Sequence, residues 1–175
     1  MTEHTCKKSD FIEKVATPNK PYPYLDSGLS NVTLVGIKYL TCKACGAVAA
    51  EIPAPMQLMN VIAKSVVMKH GILTGEEVRF LRKRLGQKAS AFAELIGKTP
   101  EHFSKIETGK LELTEPLDKL IRLAYGMLSK DKVLDRAIAA DVEAWLKSIH
   151  KQKENPPIQI KKSGTQDWVQ LPSAA

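Results

Sequence analysis

At 175 residues, with 26 basic against 19 acidic side chains and a formal charge of +7, the chain suffices for one ordinary domain or two small ones and favours a polyanionic partner over an acidic protein surface. Three cysteines are too few, and an odd number, for a disulfide scaffold, and no apolar run approaches the roughly 20 residues that cross a bilayer. The charge excess is spread thinly, so no block can hold nucleic acid by charge alone. The polar opening MTEHTCKKSD lacks the apolar stretch of a secretory signal, which makes a reducing cytoplasm the expected compartment.

Residues 1–54 are poor in helix signals and read as a small β module. Pro18, Pro21 and Pro23 stiffen an extended stretch, and Asp26-Ser27-Gly28 supplies a turn. Val32 to Leu40, rich in β-branched and aromatic residues, reads as one strand; Ala47 to Ile52 reads as the strand that returns. Between them Cys42-Lys43-Ala44-Cys45-Gly46 forms a knuckle spaced to chelate one metal ion. Cys6 is a natural third thiolate. A second Cys-x-x-Cys would place its partner at Ser9, whose hydroxyl is a poor zinc ligand, so His4 or Asp10 would have to complete a tetrahedral site, or the site has decayed. The same spacing serves redox chemistry, but a thioredoxin-like site wants a βαβ context that is missing here.

Residues 55–72 read as a helical linker with Leu58, Val61, Ile62, Ser65 and Val66 on one face, ended by His70-Gly71 through a left-handed glycine cap. Residues 73–129 carry most of the functional information. Val78, Leu81 and Leu85, then Phe92, Leu95 and Ile96, then Phe103 and Ile106 recur every three or four positions, which predicts three short amphipathic helices. A fourth, Glu115 to Leu128, would bury Leu117, Leu120, Ile121 and Ala124. Thr74 and Glu77 have the spacing of a capping box. The short breaks predict a helix-turn-helix, and with it DNA as the ligand.

On the third of these helices Thr99 is the expected N-cap, leaving amides near a phosphate or base edge. Phe103, Ile106 and the stem of Glu107 face inward, so Pro100, Glu101, His102, Ser104 and Lys105 face outward. Lys105 can donate to guanine, Glu101 can accept from cytosine, and His102 or Ser104 can contact a base or a phosphate. The plainer alternatives are that Glu101 only favours the helix dipole and that His102 is only solvated. Lys110 is a phosphate candidate. Arg79, Arg82, Lys83 and Arg84 are expected on the exposed side of the first helix, as phosphate contacts or as a solvated face.

Residues 130–175 hold one more amphipathic pattern, from Asp131 to about Lys151, with Leu134, Ile138, Val142, Trp145, Leu146 and Ile149; Trp145 is expected at a dimer or intrachain interface. Asn155-Pro156-Pro157 breaks it. Ile158 to Lys161 and Trp168 to Leu171 form either a weak hairpin or no fixed structure. No nucleophile, base and orienting group meet at a recognisable spacing, so an enzyme is not expected.

The stretches LTGEEVRFLRKRLG, SKIETGK and EPLDKLIRLAYGML, in that order and spacing, resemble the Xre/Cro-type helix-turn-helix of MqsA-type antitoxins. YPYLDSGLSNVTLVGIKYLTCKACGAVAAEIP resembles the YgiT-type zinc finger that precedes it in that family. The resemblance covers roughly residues 4–128. It implies a mainly α fold with a small N-terminal β zinc-finger-like module, zinc on Cys6, Cys42 and Cys45, and a homodimer on a palindromic double-stranded operator. It also implies base-reading roles for Glu101 and Lys105. Ser9 departs from the fourth zinc cysteine, and Ala89 stands where such domains often carry a phosphate-contacting glutamine. The expected function is a sequence-specific DNA-binding repressor, as the autoregulating antitoxin of a type II toxin-antitoxin pair with a cognate toxin partner. The alternative is a stand-alone regulator or protein-interaction module with a degenerate metal site and no toxin.

Overall fold

A computed structural model describes residues 6, 10–130, 142–149, 156–164 and 167–172. In chain order the strands are β1 (Phe11–Val15), β2 (Tyr22–Pro23), β3 (Val32–Val35), β4 (Lys38–Cys42), β5 (Val48–Ala50), β6 (Ile158–Ser163) and β7 (Asp167–Gln170). The α-helices are α1 (Pro55–Met68), α2 (Gly75–Arg84), α3 (Ala89–Leu95), α4 (Pro100–Glu107), α5 (Glu115–Leu128) and α6 (Val142–Ser148). The strands form two sheets, ordered β1-β4-β5 and β2-β3-β6-β7.

The single strand expected over Val32 to Leu40 is instead two strands in different sheets. Gly36 takes φ +81, a left-handed conformation that a β-branched residue would resist. Its amide donates to the Ala16 carbonyl at 2.9 Å, and Ala16 donates to the Ile37 carbonyl at 2.9 Å. The chain therefore turns out of one sheet and into the other at this glycine. Composition alone gave no break because both arms are rich in strand formers.

The C-terminal hairpin is part of the core. β6 lies parallel to β3, with Val32 opposite Ile158 and Leu34 opposite Ile160, and β7 returns antiparallel to it. Helix α1 packs across β6 and β7. Leu58, Ile62, Ala63, Val66 and Val67 of α1 have no exposed surface, nor has Ile160, and Trp168 is buried. Trp168 Nε1 donates to the Pro53 carbonyl at 3.0 Å, and Ser65 Oγ to Gln170 Oε1 at 2.7 Å. The segment read as a linker is thus a helix with its apolar face in the central core. It does not end on a glycine cap: Lys69 follows it in an extended conformation, and Gly71 is not among the residues with positive φ.

Helices α2 to α5 bury Val78, Leu81, Phe92, Ala93, Ile96, Phe103, Ile106, Leu117, Ile121 and Tyr125, in one cluster that is continuous with the α1 and sheet core. Two expected core residues lie outside it: Leu95 is 53% and Leu120 44% exposed, while Phe80 is buried. Leu95 is the last residue of the seven-residue α3, and the neighbouring Ile96 is buried as expected. The capping box forms as expected, with Thr74 Oγ1 accepting from the Glu77 amide and Glu77 Oε2 from the Thr74 amide. Glu77 also meets Lys69 Nζ at 2.6 Å.

A buried ionic network ties the α1–α2 connection to α5. Arg122 and Asp118 have no exposed surface. Arg122 Nε donates to Asp118 Oδ2 at 2.8 Å, Nη1 to the Val67 and Lys69 carbonyls at 2.6 Å each, and Nη2 to the Gly71 carbonyl at 2.5 Å. Asp118 Oδ1 accepts from the Leu73 amide at 2.8 Å. In α6, Trp145 is buried, followed by the buried Ile149, which agrees with an intrachain interface; Leu134 and Ile138 lie outside the described residues.

Candidate metal centre and candidate nucleic-acid interface

The metal candidate is built where β4 ends. Cys42 is its last residue, and the knuckle closes through the Gly46 amide donating to the Cys42 carbonyl at 2.9 Å and the Cys42 amide to the Ala47 carbonyl at 2.8 Å. Gly46, at φ +71, lets the chain reverse into β5. Cys6 comes from the chain ahead of β1, with its Sγ 3.4 Å from Cys42 Sγ and 3.3 Å from Cys45 Sγ. All three sulfurs lie within 4.8 Å of one another. Cys42 is buried, Cys6 half-buried and Cys45 exposed, and none is in a disulfide.

Zinc–thiolate bonds of about 2.3 Å put tetrahedral sulfur–sulfur edges near roughly 3.8 Å. Small outward movements of these sulfurs therefore seat an ion, and Cys6 comes together with the distant Cys42–Cys45 knuckle as a group able to bind a metal. Asp10, one expected substitute for the missing fourth cysteine, does not join them: its carboxylate pairs with Lys43 Nζ at 3.0 Å. His4 and Ser9 lie outside the described residues.

Helix α4 presents the other candidate surface. Thr99 Oγ1 accepts from the His102 amide at 3.2 Å, the cap expected from the sequence, with Pro100 in the first turn. Gly97 and Gly109, both with positive φ, delimit the helix, and the Lys110 amide returns to the Lys105 carbonyl at 2.9 Å. Thr99, Pro100, Glu101, Ser104, Lys105 and Lys110 are exposed, His102 is half-buried, and Phe103, Ile106 and Glu107 are buried. Phe103 meets Phe92 of α3 with ring centroids 5.5 Å apart.

What holds α4 in place was not visible in the sequence. Glu107 accepts from Arg82 through both oxygens, at 2.7 Å from Nε and 3.1 Å from Nη2. Arg79 Nη2 donates to the Glu107 carbonyl at 3.2 Å. A Cβ on Gly75 would run into the Ile106 and Glu107 carbonyl oxygens, so α2 starts where only glycine lets α4 end. The expectation of a uniformly exposed basic face on α2 is corrected accordingly. Arg82 is committed to Glu107, and Arg84 donates to Asn60 Oδ1 at 2.6 Å; of the four cations only Lys83 is fully exposed. The sole local clue was the charge on Glu107, one turn after the buried Phe103.

Compared with family models, with curated proteins and with solved structures, the chain matches none. Among the described residues no helix is long and apolar enough to cross a membrane.

Proposed function

We propose that this chain is a sequence-specific DNA-binding regulator, in which α3 and α4 act as a helix-turn-helix and α4 enters the major groove. The observation that carries the reading is the outer face of α4: Glu101, Ser104 and Lys105 project to solvent from a helix whose opposite face is clamped by the Arg82–Glu107 pair. A rigid helix with exposed polar side chains in its first turns is what base readout requires. Thr99, Pro100, His102 and Lys110 would sit against the backbone or the adjoining base edges. The regulator acts as a homodimer on a palindromic operator, with its two α4 helices about 34 Å apart, and the three cysteines hold zinc.

A protein partner, a cognate toxin in the antitoxin version of this reading, is supported by the three-stranded sheet. There Phe11, Val15 and Leu40 lie on one face by strand register and are each about two-fifths to one-half exposed.

The deciding experiment measures affinity for the promoter upstream of the chain's own coding sequence at two salt concentrations, for the wild type and for Lys105→Ala and Glu101→Ala. Phosphate contacts make the affinity fall steeply with salt. Each substitution is expected to cost on the order of 1–3 kcal/mol of discrimination at one base pair. Salt-independent binding, or equal weakening on every sequence, would remove base reading by α4.

A further inference from the structure

The loop between β2 and β3 is tied to the start of α2: Glu76 Oε2 accepts from the Ser30 amide at 3.1 Å and from the Ser30 hydroxyl at 2.7 Å. The far end of α2 is tied to α1, where Arg84 donates to Asn60 Oδ1 at 2.6 Å. The loop, α1 and α2 together line a cleft of about 340 Å³. The loop contributes Asp26, α1 contributes Met59, and α2 contributes Arg79, Phe80, Lys83 and Arg84. Ligand pockets run from roughly 300 to 1,000 Å³, so this one suits a mononucleotide and not a dinucleotide. The Ser27 hydroxyl, next to Asp26, is spent within its own loop, on the Tyr24 carbonyl at 2.7 Å and the Leu29 amide at 3.2 Å.

We propose that this cleft binds a nucleoside monophosphate and that its occupancy reaches α4 through Arg79. Three cations against one carboxylate leave the lining positive, which suits a dianionic phosphate better than a singly charged carboxylate. Arg79 and Lys83 lie one turn apart on the same side of α2; Lys83 is exposed and Arg79 half-buried. An arginine fork and a lysine point charge both serve phosphate oxygens. Phe80 and Met59 supply an apolar wall for the base. Asp26, which can only accept when ionised, calls for a donor that a ribose hydroxyl provides. Arg79 is shared with α4, because its Nη2 donates to the Glu107 carbonyl at 3.2 Å. A phosphate that draws on this guanidinium therefore weakens one of the contacts that fix the end of α4. The site stands on the cleft alone; its regulatory meaning, an effector that tunes operator binding, rests on the DNA-binding reading.

The test titrates the full-length protein with AMP, GMP, CMP and UMP, and with inorganic phosphate and adenosine, by isothermal titration calorimetry. At least one nucleotide should bind one per chain and more tightly than phosphate, while adenosine should not bind. Lys83→Glu should weaken that binding by more than about tenfold, and it leaves the Arg82–Glu107 and Arg84–Asn60 pairs in place. In hydrogen exchange, saturating nucleotide should alter the protection of the amides from Lys105 to Leu111. No saturable binding by any of the four nucleotides, or binding indifferent to Lys83→Glu, would overturn the site. Binding lost in Lys105→Ala instead would put the phosphate on the outer face of α4 and overturn the cleft. Unchanged exchange from Lys105 to Leu111 would overturn the link through Arg79. None of these outcomes involves operator DNA, so loss of the site would leave base reading by α4 standing.

Discussion

Arg122 spends every one of its described contacts inside the protein: five hydrogen bonds reach Asp118 and the carbonyls of Val67, Lys69 and Gly71. Those carbonyls belong to the end of α1 and the turn after it, where the helix leaves acceptors without intrahelical partners. Removing the guanidinium would leave them and the Asp118 carboxylate buried and unpaired. Arg122→Ala should therefore cost about 3–5 kcal/mol in urea denaturation, whereas the joint replacement Asp118→Leu with Arg122→Met should recover most of it. A loss below about 1 kcal/mol for the single change would mean that water reaches the network. Gly75 works through space and not charge. Alanine ordinarily improves a helix by about 1 kcal/mol over glycine, but here its Cβ would press on backbone oxygens of α4. Gly75→Ala should instead destabilise the protein by about 1–3 kcal/mol and, if α4 reads DNA as proposed, weaken operator binding; a rise in melting temperature would show that the contact yields.

Helix α5 has two apolar faces. Leu117, Ile121 and Tyr125 are buried, while Leu120, Met127 and Leu128 are exposed, Met127 by 81%. Positions 120, 124, 127 and 128 recur at helical spacing, so Ala124 completes a stripe pointing away from the core. If the regulator dimerises as proposed, this stripe is the surface for the second copy. Leu120→Glu with Met127→Glu should turn a dimer into a monomer in analytical ultracentrifugation, with stability changed by no more than about 0.5 kcal/mol, as for other exposed positions. A wild-type monomer at micromolar concentration, or a dimer that survives both changes, would place the interface elsewhere. Helix α4 is by contrast too short to be stable alone; its position depends on Glu107 reaching Arg82.

Over the whole molecule, the last strands, β6 and β7, complete the sheet that β2 and β3 begin. The helices between them hang from a β framework whose two parts come from opposite ends of the chain. Ile158, Ile160 and Trp168 are buried against α1 and β3, so the C-terminal segment is structural and not an appendage. Deleting residues 152–175 should abolish the single cooperative thermal transition seen by circular dichroism. Trp168→Ala should cost about 3–5 kcal/mol. A truncated chain that melts like the intact one would mean that α1 finds other cover.

The helices of residues 73–129 and two of their N-caps were legible in the sequence because their determinants lie three or four residues apart: the stripes through Val78 and Leu81 or Phe103 and Ile106, the Thr74–Glu77 box, and the Thr99 cap. The cysteine knuckle was legible for the same reason. Tertiary structure alone decided that Gly36 divides one apparent strand between two sheets, that β6 pairs with β3, and that Arg82 and Glu107 anchor α4. Each of these depends on which distant surfaces meet, and hydrophobic pattern and charge specify what a segment can bury or pair with, not which partner the packed core finally brings to it.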